Sequence, residues 1–295
     1  MKKYSTEDLQ DMTKNNGEAI LAAFESGYFH CIELSDADLS GLDMAGLDLR
    51  YANLKDANLE GANLKGANLE CAILKKANLA NANLEDANLV GAKLKDANLA
   101  SANLASANLE AAGFIGAYLE GVDLAVAHNL KDTCFAFAHL QDANLSKACL
   151  DGIDLENADL IGANLEEAFV RNNVANFRGA HLEVANLSGA VLPGSMFENA
   201  DLSGANLSEA NLYSAYMRNS NLRLANLANA NLQGTILVSA KLHKANLENV
   251  ILESAIMTGA ELKHAKLVGA DLRHAYGKVR RAVAGVRQRF LLCRN

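Results

Sequence analysis

The chain has 295 residues and a net charge of −8, and half of its residues are hydrophobic although only 5% are aromatic and Trp is absent. Leu and Ala carry this apolar content, which favours a narrow, uniform core. No apolar run approaches the roughly 18 residues of a membrane-spanning helix, and residues 1–10 lack the apolar part of a secretory signal. Five separate cysteines without a CxxC pattern favour a reduced, cytoplasmic protein.

The N-terminal segment, residues 1–33, starts with the pattern of a helix N-terminus. Ser5 precedes Glu7 and Asp8, so a capping residue and an acidic first turn stand where the helix dipole favours them. A second short helix is predicted from Glu18 to Ser26. We expect this helical segment to cap the structure that follows it.

Residues 34–272 consist of 48 five-residue repeats, and Leu occupies 40 of their central positions. Ala stands two residues before most of these central residues, and two polar residues follow them. A helix with this period would distribute Leu over all its faces, whereas a strand places Ala and Leu on one face. Short strands that turn at the polar residues build a parallel solenoid with a Leu and Ala core.

The exceptions to Leu indicate how many repeats form one coil. The four central Phe residues lie at repeats 17, 21, 29 and 33, which differ by multiples of four: Phe114, Phe135, Phe177 and Phe197. We therefore predict four faces and about twelve coils, a rod of roughly 58 Å at about 4.8 Å per coil. An extra residue near 126–128 and two near 172–174 keep this phase, so both are predicted to be corner bulges.

The repeats, which read YANLK DANLE GANLK GANLE from Tyr51, resemble the pentapeptide-repeat family over residues 34–272. The resemblance implies an all-β solenoid, the right-handed quadrilateral β-helix. In that family, members that protect DNA gyrase from quinolones resemble B-DNA in size and charge, form dimers through the C-terminal end and carry projecting loops. Other members have regulatory, scaffold or secreted-effector roles.

The residue before the central position is Asn or Asp in 29 of the 48 repeats. A short polar side chain at this place can form hydrogen bonds with backbone in the neighbouring turn. We therefore predict that this Asn ladder stabilises the corners and is not a binding site.

The C-terminal segment, residues 273–295, ends in a basic tail that has six Lys or Arg and no acidic residue from Tyr276 onwards. Gly277 and Gly285 disfavour a helix there, but the apolar residues fall at helical spacing: Val279, Val283, Val286 and Phe290. Three interpretations stay open, namely an end cap, a homodimer contact at the C-terminal end, and a surface for anionic lipid or nucleic acid.

Charge is unevenly distributed, with −3 over residues 1–33, −14 over residues 34–212 and +9 over residues 213–295. In the basic part, residues one coil apart form a candidate patch for an anion or a protein partner: Arg223, Lys241, His243, Lys244, Lys263, His264, Arg280 and Arg281. Glu261 is the acidic neighbour of this patch. A face that serves only solubility would show the same pattern.

The sequence contains no nucleotide-binding glycine pattern, catalytic motif or metal-ligand spacing, so we predict no enzyme, cofactor or metal site. The preferred function is a non-enzymatic protein-binding or scaffold rod. The alternative is a DNA mimic that protects or inhibits a type II topoisomerase such as DNA gyrase, because the body is acidic. Interleaved lysines and the absence of long insertions argue against this alternative: Lys55, Lys75, Lys76 and Lys95. The acidic body also argues against direct binding of nucleic acid.

Overall fold

The computed structural model describes residues 30–277, which divide between two compact units, Met1–His139 and Leu140–Asn295. The two predicted N-terminal helices and the basic tail lie outside the described residues, so these predictions and the domain boundaries drawn from them stay predictions. Within residues 30–277 no residue is helical, and the β-structure consists of single-residue parallel bridges. The described part of the chain accordingly contains no helix that could cross a membrane.

Parallel bridges between residues 20 apart join successive coils in each unit. The first described pair of the first unit is Glu33 and Asn53, and the last described pair of the second unit is Ile256 and Tyr276. A step of 20 residues is four five-residue repeats, so the prediction of four faces is confirmed. The count of about twelve coils stays a prediction.

Both insertions are accommodated without loss of a face. In the first unit the separation becomes 21 residues from the pair Asn108 and Asn129 onwards. In the second unit it is 22 residues from the pair Asp154 and Asn176, and returns to 20 between Asn176 and Met196. The extra residues therefore bulge at corners, as predicted.

Almost every described repeat turns in the same way. In the repeat centred on Leu54, the N–H of Ala57 donates to the carbonyl of Leu54 at 3.2 Å, and the second turn residue, Asp56, has a φ of +56°. The same position has a φ between +54° and +76° in almost all described repeats. This left-handed conformation is least costly for Gly, Asn and Asp, which explains why these residues recur there.

The core is a stack of central residues with the preceding Ala residues between them. Most of these side chains are less than 2% exposed. Phe114 and Phe135 stack with ring centroids 4.9 Å apart, and Phe177 and Phe197 stack at 4.6 Å with a 3° angle between the rings. The predicted alignment of Phe residues is therefore confirmed within each unit.

The Asn ladder runs along the outside of the coils. Asn206 donates from Nδ2 to Oδ1 of Asn186 at 3.1 Å, and its own Oδ1 accepts from Asn226 at 3.2 Å and from the N–H of Ser208 at 3.3 Å. Each Nδ2 donates to the residue one coil nearer the N-terminus. The first residue of a ladder therefore has to accept a hydrogen bond but has none to donate along the ladder. Carboxylates fill this first position in several ladders, as Asp38 does below Asn58.

Gly277, the last described residue, occupies the central position after Leu272. Its φ of +126° is accessible only to Gly, and a Cβ atom there would lie 2.5 Å from the backbone nitrogen of Thr258. No inward side chain continues the core at this position.

Candidate functional site

The structure brings together the basic residues that the sequence analysis selected from the second unit. The N–H of Leu224 donates to the carbonyl of His243 at 3.0 Å, and the N–H of Lys244 donates to the carbonyl of Lys263 at 3.0 Å. These bonds place the turns one coil apart. A groove of about 460 Å³ runs along them, lined by Arg223, Leu224, His243, Lys244, Lys263 and His264. We call these six residues the basic corner.

Lys241 lies on the face that leads to this corner, beside a second groove of about 440 Å³. The backbone of Lys241 forms a parallel β-bridge with that of Glu261 in the next coil. Glu261 is engaged by His243, whose Nε2 lies 2.6 Å from Oε2 of the carboxylate. The carboxylate of this acidic neighbour is therefore occupied by a contact within the chain.

Three cations of the basic corner have no such partner. Within residues 30–277, Arg223, Lys244 and Lys263 form no ion pair with a carboxylate, and all three residues are exposed. Lys244 lies in the coil between those of Arg223 and Lys263. Like charges in adjacent coils repel each other mildly, so the corner favours an anionic group near it.

Arg273, in the last described coil, shows the contrasting arrangement. It donates to both carboxylate oxygens of Asp271, at 2.9 Å from Nε and 2.7 Å from Nη2. These hydrogen bonds hold the pKa of Asp271 below its usual value. The charge of Arg273 is thus neutralised, and its side chain adds little to the basic corner.

The other predictions about the site concern the arginines of the tail, the cysteines and possible metal ligands. Arg280 and Arg281 lie outside the described residues, so their place in the patch stays a prediction. Cys31, Cys71, Cys134 and Cys149 are not joined in disulfides. Across residues 30–277, no three His, Cys, Asp or Glu side chains are grouped as metal ligands would be.

The sequence analysis missed an exposed apolar stripe on another face of the second unit. Where the other faces mostly carry polar side chains, this face presents one large apolar side chain per coil: Met196, Tyr216, Ile236, Ile256 and Tyr276. Consecutive members are joined by parallel bridges. The signal was available as large apolar residues that recur every 20 positions just before the central residue.

A second missed residue is Asp151, which supports the two-residue bulge. Its carboxylate is buried and accepts hydrogen bonds from the N–H groups of Arg171 and Asn172 and from the Asn172 side chain. Burial raises the pKa of Asp151, but these hydrogen bonds outweigh it and the pKa lies below its usual value. Asp151 is a structural residue of the bulge.

With this geometry described, the repeats identify the family. The family model described as pentapeptide repeats matches eight times, at residues 32–70, 62–100, 72–110, 87–125, 138–172, 175–208, 205–243 and 235–274. The chain belongs to the pentapeptide-repeat family. Membership implies the right-handed quadrilateral β-helix, which agrees with the four faces of both units.

Solved structures of pentapeptide-repeat proteins are similar to this chain. HetL, a protein involved in heterocyst differentiation regulation in the cyanobacterium Nostoc sp. strain PCC 7120, is 29% identical over 86% of this chain and 93% of its own, with a TM-score of 0.30. QnrB1, a plasmid-mediated fluoroquinolone resistance protein, is 18% identical over 65% of this chain and 91% of its own, with a TM-score of 0.28. The protein alr5209, also from Nostoc, is 35% identical over 38% of this chain and 84% of its own, with a TM-score of 0.16.

A comparison with curated proteins finds no match. TM-scores below 0.5 add nothing to the family assignment, which rests on the repeats. Function therefore has to be argued from the surfaces of this pentapeptide-repeat protein.

Proposed function

We propose that this pentapeptide-repeat protein is a non-enzymatic binding or scaffold protein that holds an acidic protein partner at the basic corner. The observation that carries the proposal is the group of three exposed cations, Arg223, Lys244 and Lys263, none of which is paired with a carboxylate of the described chain. A partner with carboxylates at a similar spacing would relieve the repulsion within this group.

The electrostatics of the corner predict how such binding responds to salt. The cations are exposed, so their attraction to a partner is screened over about 8 Å at physiological ionic strength. Binding should therefore weaken as salt is added.

A direct test measures the affinity of a fluorescent poly-glutamate peptide by anisotropy. The double variant Lys244→Glu/Lys263→Glu should bind at least about ten-fold more weakly, because two attractive charges become repulsive. Lys75→Glu/Lys76→Glu in the first unit makes the same change in net charge and serves as the matched control. Equal affinities for the wild type and both variants would contradict the proposal.

The basic tail extends this proposal through Arg280 and Arg281. Deletion of residues 278–295 should lower the affinity for the peptide if both arginines take part. The cap interpretation has its own support, since Leu267 and Leu272 near the end of the second unit are only half-buried whereas Leu262 is 1% exposed. A fall in melting temperature on deletion, with unchanged affinity, would assign the tail to capping. Light scattering of the full and shortened chains tests the homodimer at the C-terminal end.

The second candidate is a DNA mimic that acts on a type II topoisomerase. The charge of −14 over residues 34–212 favours it. A gyrase supercoiling assay tests this candidate with the charge reversals Glu166→Lys and Glu167→Lys. A mimic should alter supercoiling at low micromolar concentration and lose potency with these reversals. We place either function in the cytoplasm, which fractionation of the native cell would test.

A further inference from the structure

We propose that the apolar stripe of the second unit is a self-association surface, on which a second copy of this chain packs face to face and antiparallel. The stripe is distinct from the basic corner, and its five members follow one another at about 4.8 Å, so that it is roughly 19 Å long. On the other faces the equivalent positions are mostly Asn, Asp or charged residues.

The amount of exposed apolar surface supports a contact with another protein surface. Tyr216 is 45% exposed, Ile256 38% and Tyr276 62%, and Tyr213 at the adjoining corner is 48% exposed. Together with Ile236 these side chains present on the order of 500 Å² per copy, which is at the upper end of what a monomer leaves exposed.

The same area also limits the affinity. Two copies would bury about 1,000 Å² in total, which is the lower limit of a specific interface. A tight, obligate dimer is therefore excluded by the size of this face, and a concentration-dependent dimer is expected. Flat sheet faces pack well at about 10 Å, so the stripe needs no rearrangement to meet its own copy.

A two-fold axis at Ile236 pairs the stripe with itself in reverse order. Ile236 then faces its own equivalent, Tyr216 faces Ile256 of the second copy, and Met196 faces Tyr276. Such an isologous contact requires the central residue to tolerate its own copy, which an apolar side chain does. No charged group is placed within the stripe.

The corners beside the stripe favour the antiparallel arrangement over the parallel one. Within one chain Glu253 already accepts from Gln233 at 3.4 Å and lies 3.7 Å from Arg273. In the antiparallel dimer Tyr213 faces Glu253, so its hydroxyl can donate to a remaining lone pair of the carboxylate, and the amide of Gln233 faces another Gln233 amide, which supplies both a donor and an acceptor. In the parallel dimer the corners exchange and Gln233 faces Val238, so its amide keeps the hydrogen bond to Glu253 of its own chain, at 3.4 Å, and gains none from the second copy.

Sedimentation equilibrium of the full chain tests this proposal. Between about 1 µM and 200 µM the average mass should rise from 31.4 kDa towards twice that value. The variants Ile256→Asp and Tyr216→Lys should each weaken the dimer at least about ten-fold, because each buries an unpaired charge. Two independent variants are used so that a folding defect in one, checked by circular dichroism, does not decide the result.

Ile251→Asp is the matched control. Ile251 has the same residue type, lies on the neighbouring face one repeat earlier, and is 40% exposed against 38% for Ile256. It should leave the dimer unchanged. A 1:1 mixture of Ile256→Asp and Tyr216→Lys should restore a dimer, because only the antiparallel arrangement places the new Asp opposite the new Lys.

Added salt separates this contact from one made by the basic tail. An apolar interface keeps its strength between about 50 mM and 500 mM salt, whereas a contact through exposed charges weakens. Three results would overturn the proposal: a monomer at every concentration, equal loss of the dimer with Ile251→Asp, or a mixture that stays monomeric.

Discussion

Substitution of Phe197 tests the stacked core of the second unit. Phe197 and Phe177 are fully buried, with ring centroids 4.6 Å apart and nearly parallel rings. Phe197→Ala leaves a cavity in a narrow core and should cost about 3–5 kcal/mol of unfolding free energy. Phe197→Leu should cost only about 1 kcal/mol, because Leu and Met occupy the same inward position in other coils.

A double-mutant cycle isolates the contribution of the ring pair. Phe177→Leu and Phe197→Leu, alone and combined, should show a coupling of about 0.5–1.5 kcal/mol, the usual value of an aromatic pair. The assay is urea unfolding followed by far-ultraviolet circular dichroism, with the slope of the transition compared between variants. Leu262→Ala, more than three coils from Phe197, is the control. Its change in unfolding free energy should simply add to that of Phe197→Leu in the double variant. A coupling of zero between the two Phe residues would refute the stacked core.

Three further predictions concern the turns, the Asn ladder and the bulge. Val184→Asn should raise the melting temperature by an amount equivalent to about 1 kcal/mol, because Val184 has a φ of +54° that a β-branched residue adopts only with strain. Asn206→Asp should lower the urea midpoint by an equivalent of about 1–2 kcal/mol, since a carboxylate then faces Oδ1 of Asn186; acidification below about pH 4 should reverse part of the loss. Asp151→Asn should destabilise the protein at neutral pH. The pKa of Asp151 is lowered by folding, so its stabilisation is complete above about pH 4 and is lost as the pH falls through the lowered value; unfolding of both proteins at pH 7 and pH 3 checks this.

The fold was predictable because the repeat is local and regular. The five-residue period excludes a helix and requires a turn in every repeat, and the spacing of Phe177 and Phe197 gives the number of faces. Once four repeats form a coil, residue n lies beside residue n+20, so the stacking of Arg223, His243 and Lys263 could also be derived from the sequence. The structure agrees with each of these predictions.

Other features depended on the tertiary structure because they arise between side chains of different coils. The sequence shows Glu261 near the basic corner, but only the structure shows that its carboxylate is taken up by His243. The role of Asp151 likewise depends on the backbone of the bulge, whose N–H groups turn towards it from 20 residues further along the chain.

The sequence by itself thus determined the coil, its core and the order of residues along each face. The tertiary structure decided which outward side chains are satisfied by neighbours and which remain available. Inward residues are selected one repeat at a time by burial in a uniform core, so their pattern is visible in the sequence. The surroundings of an outward residue such as Ile256 depend on the adjacent coils. These coils place Ile256 in a continuous apolar surface instead of a hydrogen-bonded ladder.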